Sequence, residues 1–476
     1  MIYVFDGAMG TMLQSAGMPL GYCPELYNLE QPEVVTAIHR RYVESGADII
    51  ETNSFGANRI KLEHYGLSER VAALNIAAVR AARAACGPHT KIAGSISSTG
   101  RFMAPLGNLS FDEAYDVFAE QAAALEEGGA DFILIETIID LQEMRAALLA
   151  AKATTRLPII CQMSFGDDGR TVTGTDPQTA ALVLEALGAD IIGANCSVGP
   201  AQLLPVAEIL ARTVKLPISI QANAGMPELI GGRTVFPMQP DEMAAWIPRF
   251  LDVGCSYVGG CCGTTPAHIA AIRAEVDKYS SAPLTRTGLL HTALTSRSKT
   301  VRLGKEFPTA VIGERINPTG RKALAADIRD NQFVIVKKEA LAQVRAGAAI
   351  LDVNMGVPNI NQAAAMHRAV SDLSMLVDVP LSIDTTDTAA LEAGLKAFPG
   401  RALVNSVSAE PERLAEFLPL AKKYGAAILC LPIAPGGVPE TAAERVAVVR
   451  TIIEHAFAAG LRPQDLLLDA LVLTVA

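Results

Sequence analysis

The chain has 476 residues, too many for one ordinary domain and comfortable for two of about 200–250. Acidic residues outnumber basic ones 50 to 40, a net charge of −10, which speaks against nucleic acid because its binders carry a basic patch or stripe. Half of the residues are hydrophobic but only 5% aromatic, so Ala, Val, Ile and Leu carry the core, as in an α/β enzyme and unlike an aromatic-stacking RNA reader.

Short runs rich in Ile and Val alternate with Ala- and Leu-rich amphipathic stretches. In chain order the runs are Ile2–Asp6, Asp48–Thr52, Lys91–Ser97, Phe132–Thr137, Pro158–Phe165, Asp190–Ser197, Pro217–Asn223 and Tyr257–Gly263. Near-continuous apolar strands imply burial on both faces, hence a parallel sheet. Ser45-Gly46-Ala47-Asp48, Gly128-Gly129-Ala130-Asp131 and Leu187-Gly188-Ala189-Asp190 introduce three of these strands by one kind of turn, with glycine as the helix C-cap. This repetition predicts a (β/α)8 barrel over residues 1–278. A doubly wound sheet fits less well, since no phosphate-binding glycine fingerprint follows the first strand. Residues 279–308, opening with Ser280-Ser281-Ala282-Pro283, read as an interdomain linker with a short packed piece. Strand-like runs resume at Ala310–Asn317, Ile350–Met355, Leu381–Thr385, Ala402–Ser408, Ala426–Ile433 and Leu466–Val475. The expected fold class is therefore α/β, with two TIM barrels in tandem. The second, 309–476, shows six of eight strands and reads as a piece of a longer chain.

No leader is expected, because Met1–Phe5 already reads as a strand, and no apolar run of about 18 residues suggests a membrane span. Eight cysteines, sparse and irregularly spaced, do not make a secreted disulfide framework. A cytoplasmic protein with reduced thiols is the expectation.

Barrel enzymes keep their chemistry at the C-terminal ends of the strands. Those ends carry Asp6, then Glu51-Thr52-Asn53, Glu136-Thr137, Cys196 and the Cys261-Cys262 pair. Three thiols at one barrel mouth suit a tetrahedral zinc whose fourth position is left to water or substrate. Adjacent strand residues point to opposite faces, so Cys261 and Cys262 need the flanking glycines to bend the chain before both can ligate. The plainer reading makes Cys196 a core residue and the pair incidental or redox-active. The remaining cysteines, Cys23, Cys86, Cys161, Cys255 and Cys430, read as core or surface thiols.

Asp6-Gly7-Ala8-Met9-Gly10-Thr11, Glu51-Thr52-Asn53-Ser54-Phe55, Gly193-Ala194-Asn195-Cys196 and Gly260-Cys261-Cys262-Gly263-Thr264-Thr265-Pro266 resemble, in order, the motifs of the zinc-dependent homocysteine S-methyltransferases over residues 1–277. The resemblance implies that Cys196, Cys261 and Cys262 hold Zn2+ as the catalytic centre, with the homocysteine sulfur as fourth ligand. It implies that Asp6 and Glu136 face the substrate ammonium and that Thr52 and Asn53 line the pocket. The bland alternatives are a helix cap for Asp6 and backbone-amide binding for Glu136.

In the second half Gly313-Glu314-Arg315-Ile316-Asn317, Asp352-Val353-Asn354, Ile383-Asp384-Thr385 and Asn405-Ser406 fall at strand ends, and Asp469 within the last strand. These resemble the pterin-binding barrels, which include dihydropteroate synthases and the folate module of cobalamin-dependent methionine synthases. The resemblance implies a pocket for methyl-folate made by Glu314, Asn317, Asp352, Asn354, Asp384, Asn405 and Asp469. A carboxylate accepts bidentately from a pterin edge, and an Asn matches a mixed one. The plainer reading of each is a turn former or cap. Ala470 stands where such barrels commonly have Pro after the last aspartate.

A homocysteine barrel followed by a folate barrel is the order of that methionine synthase family. Its chemistry implies 5-methyltetrahydrofolate as methyl donor and methylcobalamin as carrier. No histidine here has the Asp-x-His-x-x-Gly context of a corrinoid ligand. The corrinoid-binding module is therefore expected beyond residue 476 or on another polypeptide. Two rivals stay open: a barrel using betaine or S-methylmethionine as donor, and a non-catalytic zinc- or pterin-binding scaffold. Walker A, His-Glu-x-x-His and Gly-x-Ser-x-Gly patterns are missing.

Overall fold

The computed structural model describes residues 1–230, 233–280, 286 and 288–472. Two compact units divide the chain, Met1–Glu185 with Ala189–Gly288 and Leu289–Ala476 with Ala186–Gly188.

The first unit is an eight-stranded parallel ring. Its strands are β1 (Tyr3–Val4), β2 (Ile49–Glu51), β3 (Lys91–Ile96), β4 (Phe132–Ile138), β5 (Ile159–Met163), β6 (Ile191–Asn195) and β7 (Ile218–Ala222), then, after the antiparallel hairpin β8 (Glu228–Ile230) and β9 (Arg233–Val235), β10 (Cys255–Gly260). The sheet order β1-β10-β7-β6-β5-β4-β3-β2 closes where Phe5 bridges Ile49 and the amide of Asp6 donates to the Ile49 carbonyl at 3.0 Å. Helices such as Val71–Arg83, Phe111–Gly128, Leu141–Thr154 and Pro200–Thr213 cross between strands. Gly46, Gly129 and Gly188 hold φ of +92°, +93° and +87°, the left-handed conformation that ends a helix and that only glycine adopts without strain.

Side chains two apart on a strand share a face, and that rule stacks the interior in layers. Phe5, Ile49, Ala93, Leu134, Ile160 and Ile191 form one buried apolar cluster across six strands. Two residues further along the same strands come Glu51, Ser95, Glu136 and Gln162. The ring is thus apolar at mid-height and polar one step nearer its C-terminal end.

In the second unit a hairpin, β11 (Thr292–Thr295) and β12 (Thr300–Leu303), occupies what the sequence suggested was linker. Six parallel strands follow in consecutive order: β13 (Ile312–Ile316), β14 (Ile350–Asn354), β15 (Leu381–Asp384), β16 (Leu403–Val407), β17 (Ala427–Cys430) and β18 (Leu466–Leu468). Leu294 of the hairpin packs with Ile350, Leu403 and Ala427, and Val301 and Leu303 lie against them. Arg401 anchors the arrangement: 3% exposed, it pairs with Asp465 and donates to the carbonyls of Ala293 (2.6 Å) and Gly425 (3.1 Å). A buried guanidinium needs this many acceptors to offset its lost hydration.

Two expectations are corrected. The last strand ends at Leu468, so Asp469 follows it and does not lie within it; residues 473–475 of the expected strand fall outside the described residues, as do 281–285 of the expected linker. The eighth barrel strand ends at Gly260, which puts Cys261 and Cys262 in the turn beyond.

Candidate zinc and substrate site

At the end of β6 the backbone turns through two left-handed residues, Cys196 (φ 58°) and Ser197 (φ 61°), and the Cys196 amide donates to the Gln221 carbonyl at 3.1 Å. Beyond β10, Cys261 donates its amide to the Ala222 carbonyl (2.8 Å), and Cys262 donates to Asn223 Oδ1 (3.1 Å). Freed from strand alternation, both sulfurs can serve one centre. Glycine is needed just before them, because a Cβ on Gly259 would meet Phe5 Cβ at 2.6 Å and one on Gly260 would meet Thr264 at 2.4 Å. Thr264 Oγ1 fixes the turn by donating to the Cys261 carbonyl at 2.7 Å.

The sulfurs of Cys196, Cys261 and Cys262 lie within 4.8 Å of one another, with 3.6 Å between Cys196 and Cys262. Hydrogen bonds from the other two thiols pull Cys196 down to about 3, while the proximity of Cys196 pushes Cys262 up to about 12 and Cys261 well above the ordinary thiol range. Three free thiols this close are the soft donor set that zinc prefers, and three protein ligands leave one position open. The residues fit that ion.

Next to the sulfurs is a cavity of about 320 Å3, lined among others by Glu51, Thr52, Asn53, Phe55, Glu136 and Cys261. Glu136 is 5% exposed and held by three donors: Ser95 Oγ at 2.5 Å, Asn195 Nδ2 at 2.9 Å and Thr137 Oγ1 at 3.4 Å. Burial nevertheless pushes it up to about 7. Asp6, 1% exposed, accepts the Glu51 amide on Oδ2 at 3.1 Å and has no partner for Oδ1; burial raises it well above the usual carboxylate range. Thr52 and Asn53 line the cavity with side chains already engaged, Thr52 by Ser54 (2.6 Å) and Asn53 by the Pro24 carbonyl (2.8 Å) and Asn28 (3.0 Å). They shape the wall and hold it still.

Sequence reasoning left four residues without a role here. Asn195 ties the two halves of the site together, donating to Glu136 and Thr137 and lying 3.9 Å from Cys261 Sγ. Ser95 and Asn223 hold Glu136 and the Cys262 amide. Glu51, noticed only as a strand end, faces the cavity. Strand parity is the signal for Ser95 and Glu51, since each stands two residues beyond a core position.

In the second unit the register sets Asn354 beside Asp384 and Asp384 beside Asn405. Asn354 Nδ2 donates to Asp384 at 2.8 Å, and Asn405 Nδ2 donates to Asp352 at 2.9 Å. Burial, with Asp384 close by, raises Asp352 to about 7. The other three candidates stand apart from these bonds. Glu314 is exposed on β13, Asn317 Oδ1 accepts the Thr319 amide (3.0 Å), and Asp469 Oδ1 accepts the Leu471 amide (2.7 Å).

Residues 3–276 match the family model of homocysteine S-methyltransferases, and residues 313–476 match that of pterin-binding enzymes. The chain belongs to the homocysteine S-methyltransferase family. It is 33% identical over its whole length to methionine synthase of Mycobacterium tuberculosis and 32% identical to that of Mycobacterium leprae. It spans 42% of the length of each. Among solved structures, the metallated homocysteine methyltransferase MmuM of Escherichia coli superposes with a TM-score of 0.50 at 24% identity, over 57% of this chain and 96% of that one, a likeness of fold. No helix among the described residues is long and apolar enough to cross a membrane.

Proposed function

We propose that the first unit, bounded at about residue 278, binds zinc through Cys196, Cys261 and Cys262 and presents homocysteine to a methyl donor. The observation that carries this is the convergence of three thiols beside a cavity lined by carboxylates. Bound there, zinc would lower the pKa of a fourth sulfur ligand and keep it a thiolate, the nucleophilic form. The protein's own groups do the rest. Asp6 and Glu136 hold the α-ammonium, with Ser95 and Asn195 fixing the orientation of Glu136. Thr52 and Asn53 keep the wall closed to water. In the transfer itself the sulfur–methyl bond forms as the donor–methyl bond breaks, and the thiol proton has already left.

The likeness to methionine synthases over the whole chain supports methylcobalamin as the immediate donor, carried by a corrinoid module outside these residues. In the second unit Asp352, Asn354, Asp384 and Asn405 would take the pterin of 5-methyltetrahydrofolate. Glu314, Asn317 and Asp469 would contribute at its rim. The eight free cysteines are consistent with a cytoplasmic setting.

The test is metal analysis and methyl transfer with purified protein. Zinc at about one per chain is expected, lost in Cys196→Ser, Cys261→Ser and Cys262→Ser together with homocysteine methylation. Turnover with betaine or S-methylmethionine and none with methylcobalamin would sink the corrinoid donor. Full activity without zinc would sink the whole reading.

A further inference from the structure

Glu51 has no part in the reading above, yet it is built into the same cavity as Glu136, Cys261 and Cys262. Its Oε1 accepts from Gln221 Nε2 at 2.5 Å, and Gln221 accepts in turn from Gln162 Nε2 at 2.5 Å, which also donates to Ser219 at 2.8 Å. This chain of amides crosses the interior from β5 to β7 and fixes the direction of the carboxylate. Its backbone amide meanwhile binds Asp6 Oδ2. The buried Oδ1 of Asp6 has no hydrogen-bond partner. No Lys, Arg or His lines the cavity. Burial, Glu136 and Asp6 together push the Glu51 carboxyl well above its usual range. Lys61, near enough to act on Glu136, donates to Ser97 at 2.9 Å. Glu51 and Glu136 therefore line one space, with Asp6 bound to the Glu51 amide and no cation in the lining.

The ligand must supply it. A metal ion is a poor match, since among the described residues only the three cysteines bring ligand atoms close enough to share one. An ammonium has three N–H donors and reaches acceptors spread around it. We propose that Glu51 is a third carboxylate for the substrate's α-ammonium, so that the pocket selects an amino-acid thiol over a plain alkyl thiol. The assignment rests on the homocysteine reading and extends it to a residue for which that reading has no use.

The test compares zinc-loaded wild type with Glu51→Gln, by calorimetry, against three thiols. Homocysteine carries both charged groups, 3-aminopropane-1-thiol keeps the ammonium alone, and 4-mercaptobutanoate keeps the carboxylate alone. A charge-assisted hydrogen bond is worth about a factor of 10 to 100 in affinity. Glu51→Gln is expected to weaken homocysteine and the aminothiol by at least about tenfold and to leave 4-mercaptobutanoate unchanged. Glu51→Asp, which keeps the charge on a shorter arm, should recover part of the preference. Zinc content serves as the control for an intact site. Equal losses for all three thiols, or no loss for homocysteine, would overturn the proposal. Failure of wild type to methylate homocysteine would instead overturn the reading beneath it, and binding distinguishes the two.

Discussion

In the closed ring Glu51 and Glu136 line one cavity that no Lys, Arg or His lines, with Asp6 bound to the Glu51 amide, whereas in the six-stranded sheet Asp352 and Asp384 take the amides of Asn405 and Asn354. Both sets occupy the same place in the architecture, one step beyond an apolar layer at the C-terminal ends of parallel strands. They differ in what they ask of a ligand. Carboxyl groups gathered around a cavity that no cation lines call for a positive charge, even with Asn195 and Gln221 each donating one bond to them. Acid–amide pairs offer alternating donors and acceptors and suit a neutral ring with a mixed edge. The architecture fixes where the chemistry sits; the side chains gathered there decide which chemistry it is.

The comparison can be broken most forcefully at Arg401. Replacing it by Met leaves buried Asp465 with Arg462 alone and frees the carbonyls of Ala293 and Gly425, and the loss expected is up to about 3–5 kcal/mol. The change should appear as a lower urea midpoint for the second unit while zinc binding by the first is unchanged. If zinc is lost as well, the units cannot be treated apart.

Next come two swaps of carboxylate for amide, one in each unit. Asp352→Asn should stabilise the fold by up to about 4 kcal/mol at high pH. The native carboxyl is raised from its ordinary 3.8 to about 7, so its favourable contribution is complete below about pH 4 and is lost as pH rises through about 7. The gain from Asn is therefore absent in acid and grows across that window, which denaturation at several pH values would reveal. Glu136→Gln should instead lower kcat/KM for homocysteine by about 10 to 100-fold, since an ammonium loses a charged acceptor. Equal responses in the two units would erase the contrast.

The smallest effect tests what the units share. Gly129 and Gly347 hold φ of +93° and +101°, and a Cβ at either would meet no atom within 4 Å. Alanine there pays only the left-handed backbone penalty, about 1 kcal/mol in each. A much larger loss at either position in equilibrium unfolding would mean that the two turns are not equivalent.

Strand order and the strand-end motifs were legible because buried parallel strands leave continuous apolar runs and because one αβ turn recurs. The hairpins β8–β9 and β11–β12 were not. Each is short, and its pairing depends on what it packs against, as Leu294 does on Ile350 and Leu403. The three cysteines could be named as a set, but the bend that frees Cys261 and Cys262 from strand alternation is a tertiary matter of Thr264 and Phe5. Asn195 was passed over as the residue before Cys196, because nothing in its spacing shows that it reaches Glu136 on β4. Glu314 and Asp469 show the converse, with strand-end positions whose side chains join no shared network.

The ring closes between β1 and β2 through few bonds, and one of them belongs to the Asp6 carboxylate, which accepts the Glu51 amide across that seam. In the proposed reading a single side chain is thus both a clasp and a substrate contact. Any substitution at Asp6 loosens the barrel and alters the ligand's surroundings at once, so a loss of turnover there has two inseparable causes. Mutational dissection of this site is cleaner from Glu136 and Glu51, whose side-chain carboxylates line the cavity without joining the seam.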